Sequence, residues 1–491
     1  MSTAIIGAGA GGLTTALLLT AQGQEVTVYE RSHQVGGRLA YEKDGSGRYI
    51  IDQGPTIVLL PEMLLGILEE AGIQRERIPL IACDPMYRIH YADGTAFDKY
   101  SDNAKQEEEI ERVFPGESAG FRRYMSTMKD LFLNGKEAFL EKSFLRRSEF
   151  FTWKNVLLLQ KMKIHKSVRG LAEEFFKDTR LADAFSLQTL YIGGAPFQSP
   201  ALYSLIPYAE HAFGIWYLKG GYHSLNGIME QELRARGVEF KLNSAVERIA
   251  LQENRTIGVE VSGQGLHKHD RVIYNGDFPN LRGLLPPNMK GMKTPAKYIP
   301  SSGCVLVYLG VRKRWSHSRA HQFFLPQSLT ASLKSIFEQG RIPDDPSYYV
   351  FNPVELDPQA APHGESVMYM LIPAPAGGGI DWEQEAPRLA ERVIQDAEQR
   401  AFPGLTEAIQ WKKIRTPLDA EREGLYGGGS FGLAPLLKQS GVFRPQFMPY
   451  PIQDLYTVGA SVHPGGGIPI VMQGAKLLAG HLGRELRAWN A

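Results

Sequence analysis

The stretch that decides the fold lies at the start of the chain and reads Thr3-Ala4-Ile5-Ile6-Gly7-Ala8-Gly9-Ala10-Gly11-Gly12. Its short apolar run predicts a buried strand, and the glycines follow at once. An Ala/Leu-rich helix is predicted from Leu13 to Thr20, and Glu25 to Glu30 predicts a second strand that ends in an acid. This order of strand, glycine turn, helix and strand predicts the βαβ unit that binds a dinucleotide.

Each residue type in this turn has a chemical reason. Gly7 permits the tight turn, Gly9 lets the backbone approach a pyrophosphate, and Gly12, next to Gly11, lets the helix pack closely on the strand. Free N–H groups at the helix N-terminus attract phosphate. Glu30 lies where a carboxylate accepts ribose hydroxyls, and its charge disfavours the 2′-phosphate of NADP. The alternative is a glycine-rich turn that binds no nucleotide.

Composition excludes several classes of function. The chain has 491 residues, enough for two or three domains, and its formal net charge of +1 provides no field that would recruit nucleic acid. The two cysteines, Cys83 and Cys304, are far apart, and the histidines show no ligand spacing, so no metal site is expected. Without a signal peptide or a long apolar window, we expect a cytoplasmic protein that is soluble or associated with a membrane surface.

Three further segments predict contacts with the same cofactor. Residues 31–38 read RSHQVGGR, and Asp52 to Thr56 form a turn after an apolar run. Near the C-terminus, a strand predicted over 454–460 leads through the glycine-containing segment 461–471 into a helix predicted over 472–486. A strand, a glycine turn and a helix N-terminus again form a cradle for phosphate or flavin.

These motifs carry a family resemblance. With GAGAGGL, VGGR, DQGPTI and VGASVHPGGGIPIV, the chain resembles the bacterial-type carotenoid (phytoene) desaturases, flavoproteins related to amine oxidases, over nearly its whole length. LQTLYIG at 187–193 and ALYSLIP at 201–207 look closest to the 4,4′-diapophytoene desaturases. The resemblance implies FAD as the cofactor. Together, motif and resemblance assign to FAD the residues Gly7, Gly9, Gly11, Gly12, Glu30, Arg31, Gly36, Gly37, Arg38, Gly54, Pro55, Thr56, Val246, Gly459, Ala460, Gly466, Ile468, Pro469, Ile470 and Val471.

Simpler interpretations stay open for some of these residues. Arg38, which the resemblance pairs with phosphate, has the alternative of an exposed loop arginine. Gly54 to Thr56 could instead form a plain β-turn. The resemblance places Val246 against adenine, and the alternative is an ordinary strand residue. His463 is a candidate proton shuttle because it lies in the flavin turn, and its alternative is a structural hydrogen bond.

The predicted fold class is α/β, with a Rossmann-like FAD-binding domain, a β-rich substrate domain and a helical insertion. Phe150 to Lys163 combine bulky apolar residues with lysines, which predicts a helix lying in a membrane interface. Its alternative is a core helix with a solvated basic face. The predicted boundaries are 1–86, 223–300 and 415–491 for the FAD-binding domain, 87–104, 201–222 and 301–414 for the substrate domain, and 105–200 for the insertion.

The resemblance implies an oxidoreductase of carotenoid biosynthesis that acts on CH–CH bonds. It would desaturate a lipophilic precursor, 4,4′-diapophytoene or phytoene, by hydride transfer to flavin and proton loss, at the cytoplasmic membrane surface. Two departures from the family pattern, Gly466 and Ile470, leave open a carotenoid oxygenase that forms an aldehyde or ketone. A second alternative is an isoprenoid-binding escort protein without redox chemistry.

Overall fold

The computed structural model describes residues 1–287 and 298–490, with side chains up to residue 485. The predicted domain segment 223–300 includes residues 288–297, which lie outside the described residues. The strands are β1 (Ser2–Ile6), β2 (Glu25–Tyr29), β3 (Tyr41–Lys43), β4 (Ile50–Asp52), β5 (Leu80–Ala82), β6 (Tyr87–His90), β7 (Ala96–Lys99), β8 (Trp216–Leu218), β9 (Glu239–Lys241), β10 (Val246–Gln252), β11 (Arg255–Val261), β12 (Gly265–Lys268), β13 (Arg271–Tyr274), β14 (Gly303–Val311), β15 (His321–Phe324), β16 (Tyr348–Phe351), β17 (Ser366–Ala374), β18 (Ile409–Arg415) and β19 (Leu455–Thr457).

The helices surround these strands, and several short 3₁₀ turns link them. The helices are α1 (Ala10–Ala21), α2 (Pro61–Glu70), α3 (Asn103–Val113), α4 (Ser118–Gly135), α5 (Arg147–Phe150), α6 (Trp153–Lys161), α7 (Val168–Ala172), α8 (Thr179–Ala184), α9 (Leu205–Phe213), α10 (Tyr222–Ala235), α11 (Leu329–Phe337), α12 (Trp382–Arg400), α13 (Leu405–Ala408), α14 (Pro417–Arg422) and α15 (Ile468–Asn490). Among the described helices, none is both long and apolar enough to cross a membrane.

A five-stranded parallel sheet, in the order β19-β13-β1-β2-β9, carries the glycine motifs. Its central strand β1 pairs with β2 and β13, so that Ile5 lies opposite both Val28 and Ile273. All three side chains are fully buried, as a parallel sheet covered on both faces requires. Helices α1, α10 and α15 pack together beside this sheet. Strands from three distant parts of the sequence thus build one sheet.

A seven-stranded sheet, in the order β18-β14-β17-β16-β15-β6-β7, forms the second layer. Its neighbours pair antiparallel except β15 and β6. Because side chains alternate along each strand, Val305 and Val307 pack on the side of α12, whereas Leu306 and Tyr308 pack with the helices of 105–200. The strands predicted at 304–310, 348–351 and 367–372 are confirmed as β14, β16 and β17.

Three predicted elements differ from the structure. Helix α1 begins at Ala10 and α15 at Ile468, each several residues earlier than predicted, because the last glycines of both turns are already helical or adjoin the helix. The C-terminal strand spans only Leu455–Thr457. The helix predicted over 150–163 is shorter in the structure: α5 ends at Phe150, and Thr152 caps α6 by accepting the N–H of Asn155. Its place in a membrane interface stays a prediction.

Candidate cofactor and substrate site

One cavity of about 1280 Å³ lies between the motifs and the second sheet. This volume exceeds the roughly 300–1,000 Å³ typical of a pocket for one drug-sized ligand. Its lining falls into two groups, which we call the glycine-lined part and the apolar part. The glycine-lined part is formed by Gly7, Gly9, Gly11, Glu30, Gly36, Gly37, Arg38, Gly54, Gly459, Ala460 and Gly466; the apolar part by Leu187, Leu190, Ile206, Leu306, Phe323, Tyr349 and Leu371.

The glycine-lined part sits at the carboxyl ends of the parallel strands, where α/β sheets bind their ligands. Gly7 follows β1, Glu30 follows β2, and Asn275 follows β13. Gly9 precedes α1 without a side-chain cap, and the first turn has no acidic residue, so its N–H groups are available to a phosphate. A Cβ on Gly12 would lie 2.2 Å from the Gly7 carbonyl oxygen, so only glycine fits there.

Two polar side chains fix this turn. The Asn275 amide donates to the Gly7 carbonyl at 3.0 Å. The Glu30 carboxylate is buried and accepts from the Ala8 N–H at 2.8 Å and from the Ser32 N–H and hydroxyl. A carboxylate has about four acceptor directions, so one remains for a ribose hydroxyl. Asn275 was missed in the sequence, although its place after a short apolar run was a usable signal.

Arg38 lines the cavity and is not an exposed loop arginine. Its Nη2 lies 3.0 Å from a carboxylate oxygen of Asp277, and its Nε donates to the Ser430 carbonyl. Buried Asp277 also accepts the N–H of Tyr426. The guanidinium charge therefore has a carboxylate partner within the protein, and pairing of Arg38 with phosphate stays a prediction.

The two glycine motifs meet at the cavity. A Cβ on Gly11 would lie 3.2 Å from Cγ1 of Val471, which brings the first turns of α1 and α15 together. The remaining residues assigned to FAD also line the cavity. They are Arg31, which is exposed, Pro55, Thr56, Val246, Ile468, Pro469 and Ile470. Contact of each with FAD remains a prediction.

Arg444 is a buried cation that also lines the cavity, and no role was predicted for it from the sequence. Arg444 is 4% exposed and donates to the carbonyls of Gln439, at 3.3 Å, and Ala460, at 2.6 Å. Among the described residues, its Nε has no partner. Burial lowers the pKa of this guanidinium, but arginine stays charged in proteins. A buried positive charge that is held mainly by carbonyls favours an anionic group nearby.

His463 connects the C-terminal motif to the helical insertion. Its Nε2 lies 2.8 Å from the Lys142 carbonyl oxygen, so Nε2 carries the hydrogen and donates it. Burial lowers the pKa of His463 to about 4, and the imidazole is neutral near pH 7. This contact favours the structural alternative over the proton shuttle, which stays a prediction.

The wall of the apolar part of the cavity is mostly aromatic and aliphatic. The Tyr349 ring lies 4.9 Å from that of Phe323 and 6.2 Å from that of Tyr369. Burial raises the pKa of the Cys304 thiol to about 12, so this sulfur is neither a nucleophile nor a ready metal ligand. No group of three or more potential metal-ligating side chains occurs in residues 1–287 and 298–490. Such a wall suits a long apolar molecule.

FAD fits these residues. The two helix N-termini offer free N–H groups, Glu30 offers an acceptor, and Arg444 offers a buried positive charge beside the second motif. Because the cavity continues from there into an aromatic chamber, a second molecule can lie beside the cofactor.

Several known proteins match this chain over nearly its whole length. The sequence pattern of the flavin containing amine oxidoreductases matches residues 10–480. A 4,4′-diapolycopen-4-al dehydrogenase of Metabacillus indicus is 48% identical over 97% of this chain and 96% of its own, and a 4,4′-diapophytoene desaturase of Staphylococcus aureus is 31% identical over 99% of each. Among solved structures, a cyclohexylamine oxidase of Brevibacterium oxydans has the same fold, with a TM-score of 0.63, 16% identity and 99% of both chains covered. The chain therefore belongs to the flavin-containing amine oxidoreductase family, in its bacterial carotenoid desaturase branch, and is an FAD-dependent oxidoreductase.

Proposed function

We propose that this oxidoreductase acts on the terminal aldehyde of a long acyclic carotenoid of the thirty-carbon type and converts it to the carboxylic acid. The observation that carries the proposal is the 48% identity, over nearly the full length of both chains, to a 4,4′-diapolycopen-4-al dehydrogenase. The desaturase relative is considerably more distant, at 31%.

The residues of the cavity supply binding and orientation for this reaction. Oxidation of an aldehyde to an acid adds one water and removes two electrons and two protons, and bound FAD supplies the two-electron acceptor. The glycine turns, Glu30 and Arg444 would hold FAD. Leu306, Phe323 and Leu371 would hold the polyene by its apolar length.

A departure in the last motif distinguishes this chain from many desaturases. Many desaturases have alanine where this chain has Gly466. A Cβ at this position would lie 3.1 Å from the Phe431 carbonyl oxygen, so an alanine would require that loop to shift. The path of the backbone beside the second motif is therefore adapted to glycine in this chain.

Desaturation of 4,4′-diapophytoene is the second candidate function. It is supported by the full-length match to a 4,4′-diapophytoene desaturase and by the apolar chamber, which suits a plain hydrocarbon equally well. The two candidates differ in the part of the substrate that must reach the cofactor.

The deciding experiment is product analysis with FAD-loaded protein and liposomes under ¹⁸O₂. The substrates are 4,4′-diapolycopen-4-al, 4,4′-diapolycopene and 4,4′-diapophytoene, each followed by absorbance and mass. We expect the aldehyde to gain one oxygen without the label. Label in the product would establish an oxygenase, and loss of two hydrogens per step from 4,4′-diapophytoene a desaturase. Binding of the polyenes without any turnover would support the escort protein.

We also propose that the protein takes its substrate from a membrane surface. Three large apolar side chains of one short stretch are exposed: Phe151 at 46%, Trp153 at 77% and Leu157 at 41%. Phe443 joins them, with its ring 6.1 Å from that of Phe151. We call these four residues the exposed apolar patch.

The exposed apolar patch has basic neighbours and adjoins the cavity. Arg147 lies over the Phe443 ring, and Lys154 and Lys161 are exposed beside it. Lysines farther along, Lys163 and Lys166, pair with Glu174 and contribute little net charge. Buried Phe150 contacts the cavity-lining Phe139, with ring centroids 5.3 Å apart, and so links the patch to the cavity wall.

Cosedimentation with vesicles tests this surface. On vesicles of phosphatidylcholine and phosphatidylglycerol, we expect the double variant F151S/W153S to bind at least about tenfold more weakly, since two large apolar side chains leave the interface. The control is Leu266→Ser, which removes an exposed leucine from β12. Equal weakening by the control, or none by the double variant, would refute the proposal.

A further inference from the structure

Three polar side chains form a continuous chain across the wall of the apolar part of the cavity. The hydroxyl of Thr56 lies 2.7 Å from that of Tyr349, which in turn lies 2.6 Å from Nδ1 of His321. Thr56 and Tyr349 both line the cavity, whereas His321 lies behind them and is fully buried. Its ring stacks on Phe351 at 4.8 Å.

The donors and acceptors of these three hydrogen-bonded side chains show what they offer to a ligand. A tyrosine hydroxyl has one hydrogen and two lone pairs. Thr56 and His321 occupy two of these three positions on Tyr349, so the third is left for a molecule in the cavity. In the described part of the chain, Nε2 of His321 has no hydrogen-bond partner.

The unpartnered Nε2 of His321 indicates in which direction the hydrogen bonds of this row are donated. A buried N–H without an acceptor is rarer than a buried acceptor without a donor, so Nε2 is the bare nitrogen and Nδ1 carries the hydrogen. Nδ1–H of His321 therefore donates to the Tyr349 oxygen. This leaves the hydrogen of Tyr349 free to turn to Thr56 or to a ligand.

We infer that Tyr349 and Thr56 hydrogen-bond the oxygen at the oxidised end of the polyene, and that His321 acts as a positioning residue that keeps Tyr349 a donor. A plain hydrocarbon in the same place would leave these hydroxyls without a new partner and gain nothing from them. The inference rests on the proposed function and adds to it the residues that select an oxygenated substrate.

The position of this chain fits that role. Thr56 ends the segment Gly54–Thr56 that the sequence assigns to the flavin, so the hydroxyl pair lies where the glycine-lined and apolar parts of the cavity join. Tyr308 holds the same segment by donating to the Gln53 carbonyl at 2.8 Å. An aldehyde oxygen bound here would have its carbon near the cofactor and its polyene along the aromatic wall.

The test is equilibrium binding, followed by absorbance, to protein whose bound FAD is kept reduced in the absence of oxygen, so that the aldehyde is not turned over. The probes are 4,4′-diapolycopen-4-al and the hydrocarbon 4,4′-diapolycopene. A hydrogen bond to the carbonyl of a conjugated aldehyde moves its absorption to longer wavelength, so the wild type should show this shift only with the aldehyde. We expect Tyr349→Phe to abolish the shift and to reduce the preference for aldehyde over hydrocarbon roughly tenfold.

Matched variants separate recognition from folding. Tyr348→Phe, in the same strand, removes a hydroxyl that bonds Asp396 on the opposite face, and should leave both the shift and the preference intact. His321→Phe keeps a ring on Phe351 but loses the donor, and should reduce the shift. If Tyr349→Phe fails to fold, Thr56→Val serves in its place and should also reduce the shift.

The outcomes distinguish this inference from the proposed function. A wild type that binds aldehyde and hydrocarbon equally, or a Tyr349→Phe variant that keeps the shift, overturns the inference even where the aldehyde is oxidised. A wild type with the shift and the preference but without aldehyde oxidation supports the inference and refutes the proposed reaction.

Discussion

The two parts of the cavity are specified by different means. In the glycine-lined part we expect the backbone to make the contacts with FAD, because helix N-termini and glycine turns lie at the ends of β1, β2 and β19. In the apolar part, side chains from strands far apart in sequence make the wall, such as Leu306 of β14 and Leu371 of β17. Backbone contacts need fixed residue types at fixed spacing, whereas a side-chain wall needs only apolar volume.

This comparison predicts that changes in the two parts have separable effects. Substitutions in the glycine-lined part should remove FAD, and substitutions in the apolar part should leave FAD in place and alter the substrate. A variant of the apolar wall that loses FAD would break the comparison.

The largest effect is expected for Gly12→Ala. Its Cβ would lie 2.2 Å from the Gly7 carbonyl oxygen and 2.9 Å from the Asn275 amide, so the turn must open. We expect the free energy of unfolding to fall by roughly 4 kcal/mol or more, and the FAD content to fall below about a tenth of that of the wild type. The ratio of flavin to protein absorbance measures this. Gly66→Ala, in a helix with no atoms within 4 Å of the new Cβ, is the control and should retain FAD. Normal FAD content in Gly12→Ala would contradict the assigned turn.

Leu371→Trp should have the next largest effect. This half-buried side chain lines the apolar part, and a larger ring there displaces the polyene. A misplacement of about 1 Å can lower turnover roughly 100-fold. FAD content and melting temperature should stay near those of the wild type, and Leu371→Met, which keeps the volume, should stay active. A loss of FAD in the tryptophan variant would show that the two parts of the cavity are not independent.

The same contrast explains which features the sequence predicted. The βαβ unit, the second glycine turn and the strands β14, β16 and β17 were all predicted, because glycine spacing and long apolar runs are local signals. The helix starts were placed too late, since residues 10–12 after the first glycine turn and 468–471 after the second are already helical in the structure.

Other features depend on contacts between distant residues. Asp277 and Arg444 support the candidate cofactor site through partners at remote positions, and no local pattern marks them. Asn275 also acts through a remote partner, but it follows a short apolar run that could have marked it. Tyr349 and His321 look like ordinary strand residues until the fold brings Thr56 to them. The helix predicted over 150–163 begins later, at Trp153, for a local reason, because Thr152 caps it.

Arg444→Met should have a smaller effect and tests the boundary between the two parts of the cavity. Methionine keeps apolar volume but removes a buried charge whose Nη2 donates to the Ala460 carbonyl. We expect FAD to bind about tenfold more weakly, the effect of losing roughly 1.4 kcal/mol, and the flavin reduction potential to fall. Fluorescence titration and spectroelectrochemistry measure these two quantities. Exposed Lys438→Met is the control and should change neither. An unchanged potential together with normal affinity would make Arg444 purely a support of its loop.

The smallest effect expected is a pH dependence from His463, which joins the second glycine motif to the insertion. Its pKa is lowered by burial to about 4 in the folded protein, against an ordinary 6.5, so below pH 6.5 the unfolded chain binds a proton that the folded one does not. Stability contributed by the neutral ring is therefore complete above pH 6.5 and is lost as pH falls towards 4. Between pH 7 and 5.5 this amounts to about 1 kcal/mol.

His463→Gln can still donate to the Lys142 carbonyl but does not titrate, so its unfolding free energy should fall by about 1 kcal/mol less over that range. The other histidines whose pKa is lowered by burial titrate alike in both proteins and cancel in the difference; they are His90, His211, His269 and His321. Denaturant melts of both proteins at the two pH values measure this difference in unfolding free energy. An equal fall in both proteins would show that the contact between His463 and Lys142 does not persist in solution.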